Sequence, residues 1–350
     1  MNILITSAAR RIDFVRFFQE AYKKLDIRGE VIAADPEYNA PSLQQADISY
    51  VIPKHTDPDY VDEILAICRS HDVRGIVPVN DLEISKLAEN KEKFNQEGIS
   101  VFASSPDIVE IIRDKGKYEK HLGNFGVQVP RTFIDLEEAK EAVQRGKASL
   151  PFIIKPRNGQ ASIGIHFAHS LDELETAYTF AVNEIKEESI GETAHQKPED
   201  NVIFQETVEG EKFSLDVFND LNGQYLTTFV RKQLAMRGGD VDRCLTVNEP
   251  ALLEIGRKIG ENLGHTGYIN TDVYYDGTGY YVIDMNPRIG GGYSFSHEAG
   301  ADIPSVILAL VAGREVKEEW LTEENDLEFA RHDVVAQINK NKAKKVEKSL

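Results

Sequence analysis

Cysteine is scarce in this sequence: the 350 residues contain two, Cys68 and Cys244, far apart and in no C-x-x-C spacing. A disulfide framework and a cysteine-held zinc are therefore excluded, and both thiols are expected to be structural. Long apolar runs are missing too, since no stretch approaches the roughly 18 residues of a membrane span. The start, Met1-Asn2-Ile3-Leu4-Ile5, lacks a basic segment followed by a long apolar one, so a cytoplasmic protein is expected. Basic charge is the third shortage: 40 Lys and Arg face 58 Asp and Glu, a net charge of −18. Such a chain repels nucleic acid at long range and must hold any anionic ligand with a few placed cations, backbone donors and bound metal. Lastly, the turn Thr6-Ser7-Ala8-Ala9-Arg10-Arg11 has no glycine, which removes the dinucleotide-binding reading at its most informative position.

What is present is an ordinary globular composition, and its length suits two or three domains. An apolar run at 3–6 precedes a helical pattern through Ile12, Val15, Phe18 and Tyr22, with Ser7 as a candidate N-cap. A second run ends at Asp35, read first as a turn residue. A helix over 60–69 and a third run at 75–79 complete an alternation that predicts a parallel sheet with a crevice at its strand ends. Helices are expected over 108–122, 136–145 and 250–263. Residues 184–201 read as an exposed loop or helical insertion, and 202–218 with 225–230 as antiparallel strands around Asn219–Gly223. The segment Asp276-Gly277-Thr278-Gly279 is a hairpin turn, and the lysine-rich end from Lys340 is expected to fray.

Three segments carry chemistry. The hairpin brings Asp272 towards Asp284, and Asn286 shares the face of Asp284 at i+2, giving an oxygen-only set that suits Mg2+. Hydrated polar residues at a hairpin end are the alternative. Lys155 closes an apolar strand and opens a small-residue loop, Gly159 to Gly164, that could cradle phosphate or simply turn the chain. It is no Walker A sequence. The run from Val202 into Gln205-Glu206 and Gly210 could present backbone groups to the edge of a base.

In this order, Asp114-Lys115, Lys155-Pro156 with its glycine loop, Gln205-Glu206-x-Val208-x-Gly210, and Asp272 before Asp284-x-Asn286-Pro287-Arg288 resemble the ATP-grasp superfamily. Within it the chain is similar to the carbamoyl phosphate synthase large-subunit and carboxylate-amine ligase branch. The likeness spans residues 1–312 and includes Gly75–Pro78 through Asn80-Asp81-Leu82-Glu83. It implies an α/β protein, α+β in its ATP-grasp part: a parallel-sheet pre-ATP-grasp domain at 1–108, a two-subdomain ATP-grasp unit at 109–312, and a C-terminal extension at 313–350. By resemblance, Lys115 and Lys155 contact ATP phosphates, and Gly159, Ser162 and Gly164 belong to the loop over them. Glu206 and the backbone of Val208 read the adenine. Asp272, Asp284 and Asn286 hold Mg2+ or Mn2+, and Arg288, with Lys155, serves the transferred phosphoryl group. Lys212 or Phe213 stands where relatives place a ribose-binding acid, which leaves Glu211 as the candidate. Asp272 stands where carbamoyl phosphate synthases often carry glutamine.

The implied activity is an ATP-dependent carboxylate-amine ligase that makes an acyl phosphate and releases ADP and phosphate. Bicarbonate activation, as in carbamoyl phosphate or carboxylase chemistry, is the runner-up, and a silent nucleotide-binding regulatory subunit is the alternative outside catalysis. Arg231, Arg237 and Gly291 are the substrate-side candidates, with Arg243 and His297 behind them. Expected partners are a small-molecule carboxylate and amine, with no nucleic acid, no membrane, and a homodimer as the assembly considered.

Overall fold

The computed structural model describes residues 1–159, 164–187 and 197–346. Strands β1 (Asn2–Thr6) and β2 (Val31–Asp35) are buried at nearly every position, as happens only when both faces of a sheet are covered. With β3 (Ile48–Val51), β4 (Val73–Pro78) and β5 (Ser100–Val101) they form the expected parallel sheet. The helix Ile12–Lys24 buries Phe14, Val15, Phe17, Phe18, Ala21 and Tyr22 against it. Ser7 does not cap that helix: it lies at φ 47°, and its hydroxyl donates to Glu83 at 2.6 Å. Asp35 is a turn residue, accepting from the backbone of Glu37 at 2.8 Å and of Ala9 at 2.7 Å.

The helix expected over 108–122 is two, Pro106–Arg113 and Tyr118–Gly123, broken at Asp114. Asp114 accepts from Gly116 N at 3.0 Å and pairs with Arg157 at 2.6 Å, which turns Lys115 inward. A small antiparallel sheet follows, made of β6 (Thr132–Phe133), β7 (Phe152–Pro156), β8 (His166–Ala168) and β9 (Val202–Glu206). The helices Leu136–Gln144 and Leu171–Glu187 cover it. Of the polar segment 184–201, residues 188–196 lie outside the described residues.

The strand expected over 202–218 is likewise two. The chain leaves β9, crosses at Thr207–Gly210 and enters β10 (Glu211–Asn219) of a different sheet. Gly210 is required there: its φ is 146°, and a Cβ would sit 2.0 Å from the carbonyl oxygen of Tyr275. This large sheet adds β11 (Tyr225–Arg237), β12 (Asp240–Thr246), β13 (Gly267–Tyr275), β14 (Tyr280–Asn286) and β15 (Glu328–Ala330), in the order β14-β13-β10-β11-β12-β15. One face packs under the helix Pro250–Leu263 and the other opens to a cleft facing the small sheet.

The helix Ile303–Val311 then returns to pack beside Ile12–Lys24, in a core shared with Phe218, Phe229 and Tyr268 of the large sheet. The end expected to fray instead adds β16 (Lys344–Lys345) to the edge of the parallel sheet, with Lys344 opposite Tyr50. Backbone hydrogen bonding to an existing edge holds it despite its lysines. Among the described residues no helix is long and apolar enough to cross a membrane.

Candidate active site

Sheet register builds the site. Across β13 and β14, Asp272 stands opposite Asp284 and Asn270 opposite Asn286; across β10, Ser214 stands opposite Asp272 and Asp216 opposite Asn270. Directly opposed residues share a face, so Ser214, Asn270, Asp272, Asp284 and Asn286 line the cleft, with Asp216 buried beneath Asn270, while Val273 and Met285, on the alternate positions, fill the core behind. Lys155, on β7, approaches from the small sheet and donates to the carbonyl of Ile283 at 3.4 Å. Between the two walls lies a cavity of about 350 Å³.

Charge in this cavity is paired. Lys115 lies 2.8 Å from Asp284, and Lys212 lies 2.8 Å from Asp272. Asp272 also accepts from Gln233 Nε2 at 3.0 Å. Burial would raise the Asp284 carboxyl, but Lys115, and then Lys155 and Lys212, hold it below its ordinary value. For Lys155 the balance goes the other way: burial, aided by Lys115 and Lys212, outweighs the opposing carboxylates of Asp284 and Asp272 and pushes its ammonium down to about 8. Arg288 enters from beyond β14, and Asp81, at the start of the helix Asp81–Glu89, takes its Nε at 2.8 Å and its Nη2 at 2.6 Å. The parallel-sheet domain thus fastens the arginine that follows the paired strands.

Lys115, Lys155, Gly159, Asp272, Asp284, Asn286, Arg288 and Gly291 all line this cavity. Other expected residues stand elsewhere. Glu206 accepts from the backbone of Ser149 at 2.7 Å, and Glu211 is exposed and paired with Lys232; neither they, Val208 nor Gly164 is part of the cavity wall. Ser162 lies outside the described residues. Arg231 is no open substrate cation: it is 1% exposed, bonded to Asp216 and Ser296, and lies under Gly292. Arg237 is half exposed and paired with Asp242 at 2.9 Å and Asp333 at 2.7 Å. Arg243 is exposed, and His297 stacks on Phe17 with ring centroids 3.7 Å apart, against the helix Ile12–Lys24.

Sequence reasoning missed Asn270, Lys212 as an ion-pair partner, Gln233, Asp81 and Asp240. Asn270 was within reach, being two residues before Asp272 on one strand; the others meet the site only through the fold. No group of three His, Cys, Asp or Glu able to hold a metal occurs among the described residues. Two carboxylates and an amide oxygen nevertheless fit Mg2+, which takes few protein ligands and completes its shell with water and phosphate oxygens. Both cysteines are buried thiols, pushed up by burial to about 12 at Cys68 and about 11 at Cys244.

Comparison with known proteins gives matching likenesses. Residues 3–102 match a family described as PylC-like, N-terminal domain, and residues 198–334 one described as ATP-grasp in the biosynthetic pathway with Ter operon. A carbamoyl-phosphate synthase of Methanobrevibacter smithii is 24% identical over 303 residues, 81% of this chain and 75% of that protein. The carbamoyl phosphate synthase large chain of Pseudomonas putida is 23% identical over 77% of this chain, which spans only 25% of that larger protein. Among solved structures, the biotin carboxylase–β-γ-ATP complex from Campylobacter jejuni superimposes with a TM-score of 0.71 at 18% identity, covering 92% of this chain and 73% of that one. The N5-carboxyaminoimidazole synthetase of Staphylococcus aureus gives 0.66 at 14% identity, over 91% of this chain and 78% of that one.

Proposed function

The chain belongs to the ATP-grasp superfamily, and from that premise we propose that it is an ATP-dependent carboxylate-amine ligase working through an acyl phosphate. The observation that carries this reading is the row Asn270, Asp272, Asp284 and Asn286, with its lysine partners, facing Lys155 across one cavity that also contains Arg288. Only a ligand bringing both negative charge and a divalent cation makes use of all of them.

The proposed triphosphate lies in the cleft with Lys115 and Lys155 on its phosphates; the resemblance would direct the adenine towards Glu206 and Val208, which stand outside the cavity wall. Asp272, Asp284 and Asn286 would hold Mg2+ or Mn2+, which neutralises phosphate charge when bound. The two lysines now paired with those carboxylates are then free for phosphate oxygens. A substrate carboxylate oxygen attacks the γ-phosphorus, the bond to the β–γ bridging oxygen breaks, and ADP leaves. Arg288, held by Asp81, faces the charge on the transferring group. The amine lone pair then attacks the acyl carbon, the bond to phosphate breaks, and the amine gives up a proton. The task is one of position and charge, and no nucleophilic side chain is needed.

A second reading, activation of bicarbonate as carboxyphosphate, is favoured by the names of the relatives, several of which are carboxylases or carbamoyl phosphate synthases. Both chemistries release ADP and phosphate, and one experiment separates them. ATP and Mg2+ are supplied with pools of carboxylic acids or with bicarbonate, and ADP and hydroxylamine-trapped hydroxamate are measured. ADP with hydroxamate from a carboxylic acid is the expected result; release driven by bicarbonate alone turns the assignment to the second reading, and AMP with pyrophosphate overturns both. Asp284→Asn should lower turnover by roughly 100-fold or more, as loss of a charge-stabilising group at a transition state does.

A further inference from the structure

At the end of the cavity nearest the parallel-sheet domain lies a group of guanidiniums that phosphoryl transfer does not employ. Arg331, from the chain after β15, donates through Nη2 to the carbonyl of Gly291 at 2.7 Å and through Nε to that of Val241 at 3.3 Å. Its guanidinium lies 5.1 Å over the ring of Phe295. Arg11, from the turn after β1, presses on the same glycine from the other side: a Cβ at Gly291 would sit 2.4 Å from Arg11 Nη1. Its side chain is 16% exposed. Burial lowers the Arg11 guanidinium from its ordinary value, Asp240 and Asp13 oppose this, and Arg288 and Arg331 add to it. Arg11 and Arg331, from opposite ends of the chain, therefore meet at Gly291.

The carboxylate that faces the cavity among them is Asp240, 2.6 Å from Arg10 and 3.6 Å from Arg11. Burial would raise it, but Arg11, Arg10 and Arg331 hold it below its ordinary value. Asp81 is taken by Arg288, and Asp13 accepts from Ser294. Asp240 stands at the tip of the β11–β12 hairpin directly after Gly238 and Gly239, whose φ angles are 57° and 81°. Two glycines of positive φ make the tight turn that presents Asp240, the first residue of β12 and opposite Arg237, at this end of the cavity. In a chain of net charge −18, cations gathered at one end of a cavity lined by Asp240 suit an anionic ligand.

We propose that the acid substrate carries a second anionic group, a carboxylate or a phosphate, which replaces Asp240 on Arg10 and Arg11. This rests on the ligase reading and names its substrate class: the reacting carboxylate lies towards Arg288 and the phosphoryl group, and the distal anion lies beyond Gly291. Guanidinium forks pair bidentately with either oxyanion. Asp240, Gly291 and Gly292 line the cavity, and one carboxylate replaces another, so the arginines stay neutralised before and after binding.

The test uses the full chain with ATP and Mg2+. Unbranched dicarboxylates of increasing length are compared with monocarboxylates of the same length, and phosphonoalkanoates form a third arm that distinguishes a distal carboxylate from a distal phosphate-like group. The expected result is a kcat/KM at least tenfold higher for one dianionic series, arising in KM. Arg10→Gln and Arg11→Gln should each reduce that dianion-to-monoanion ratio at least fivefold, and Asp240→Asn should lower KM for the dianion. Having two arginine variants keeps the test decisive if one fails to fold. Equal use of mono- and dianions by the native chain, or variants that raise KM for both alike, overturns the inference and leaves the ligase reading standing. ADP release with no acid of any series overturns the ligase reading, and the inference falls with it.

Discussion

Lys155 shows at the scale of one residue how the site keeps charge ready for a ligand. Its ammonium is buried and pushed from 10.5 down to about 8, a shift of roughly 3 kcal/mol against the charged form. The sign follows directly. Below pH 8 the folded chain bears the whole cost of burying this charge; between 8 and 10.5 the folded state loses the proton while the unfolded state keeps it, and the cost disappears. On the proposed function, triphosphate binding restores the charged form. Two opposite effects are therefore expected of Lys155→Met: a higher denaturant midpoint for the nucleotide-free protein at pH 7, and weaker ATP binding. In the native chain, calorimetry should show proton uptake on ATP binding near pH 8 to 9, with Kd rising by at most about tenfold per pH unit above 8. A nucleotide-free Lys155→Met protein that is less stable at pH 7 would refute this account.

Among elements, the contact that sets the geometry of the cavity wall is between the turn after β1 and the helix Asp81–Glu89. Glu83 joins them: one carboxylate oxygen accepts from Ser7 at 2.6 Å and Tyr60 at 2.5 Å, the other from Thr6 at 2.8 Å. The same turn carries Arg11, and the same helix carries Asp81. Glu83 is buried, and burial raises its carboxyl to about 6 against the pull of the three hydroxyls. Glu83→Ala leaves those hydroxyls without their acceptor and should cost about 2 to 3 kcal/mol in urea unfolding. Its pH dependence has a definite sign. The folded value lies above the unfolded 4.5, so the ionised group costs stability above pH 6. As pH falls from 6 to 4.5 the folded chain takes up a proton, and native stability should improve relative to Glu83→Gln over that window.

At the scale of the whole molecule, the parallel-sheet domain does not close its own core. Phe14, Phe17 and Phe18 pack with Ile303, Val306, Ile307 and Leu308 from late in the chain, and with Phe218, Phe229 and Tyr268 of the large sheet. Residues 1–108 alone leave that apolar face uncovered. Such a fragment should give no cooperative thermal transition by circular dichroism, whereas the full chain should unfold its parallel sheet and large sheet together. Ile307→Ala should lower the stability of both by roughly 2 to 5 kcal/mol, as an emptied core position does. A cooperative melt of the isolated fragment would show that the domain is self-sufficient.

The sequence by itself determined the parts governed by short-range periodicity. Alternating apolar runs and helices specify the parallel sheet, because a strand buried on both faces and an amphipathic helix each have a local signature. The pair Asp284 and Asn286 shares a face by the two-residue repeat of a strand, and a four-residue turn folds Asp272 onto them. Only the tertiary structure decided which charges meet. Lys212 reaches Asp272, Arg288 reaches Asp81, and Arg11 and Arg331 converge on Gly291, from positions with no spacing relation in the chain. It also took Arg231 inward to Asp216 and divided the run 202–218 between two sheets at Gly210. The reason is physical: strand and helix patterns are set by neighbours a few bonds away, whereas ion pairing in a cleft depends on where whole elements pack, and no local pattern encodes that.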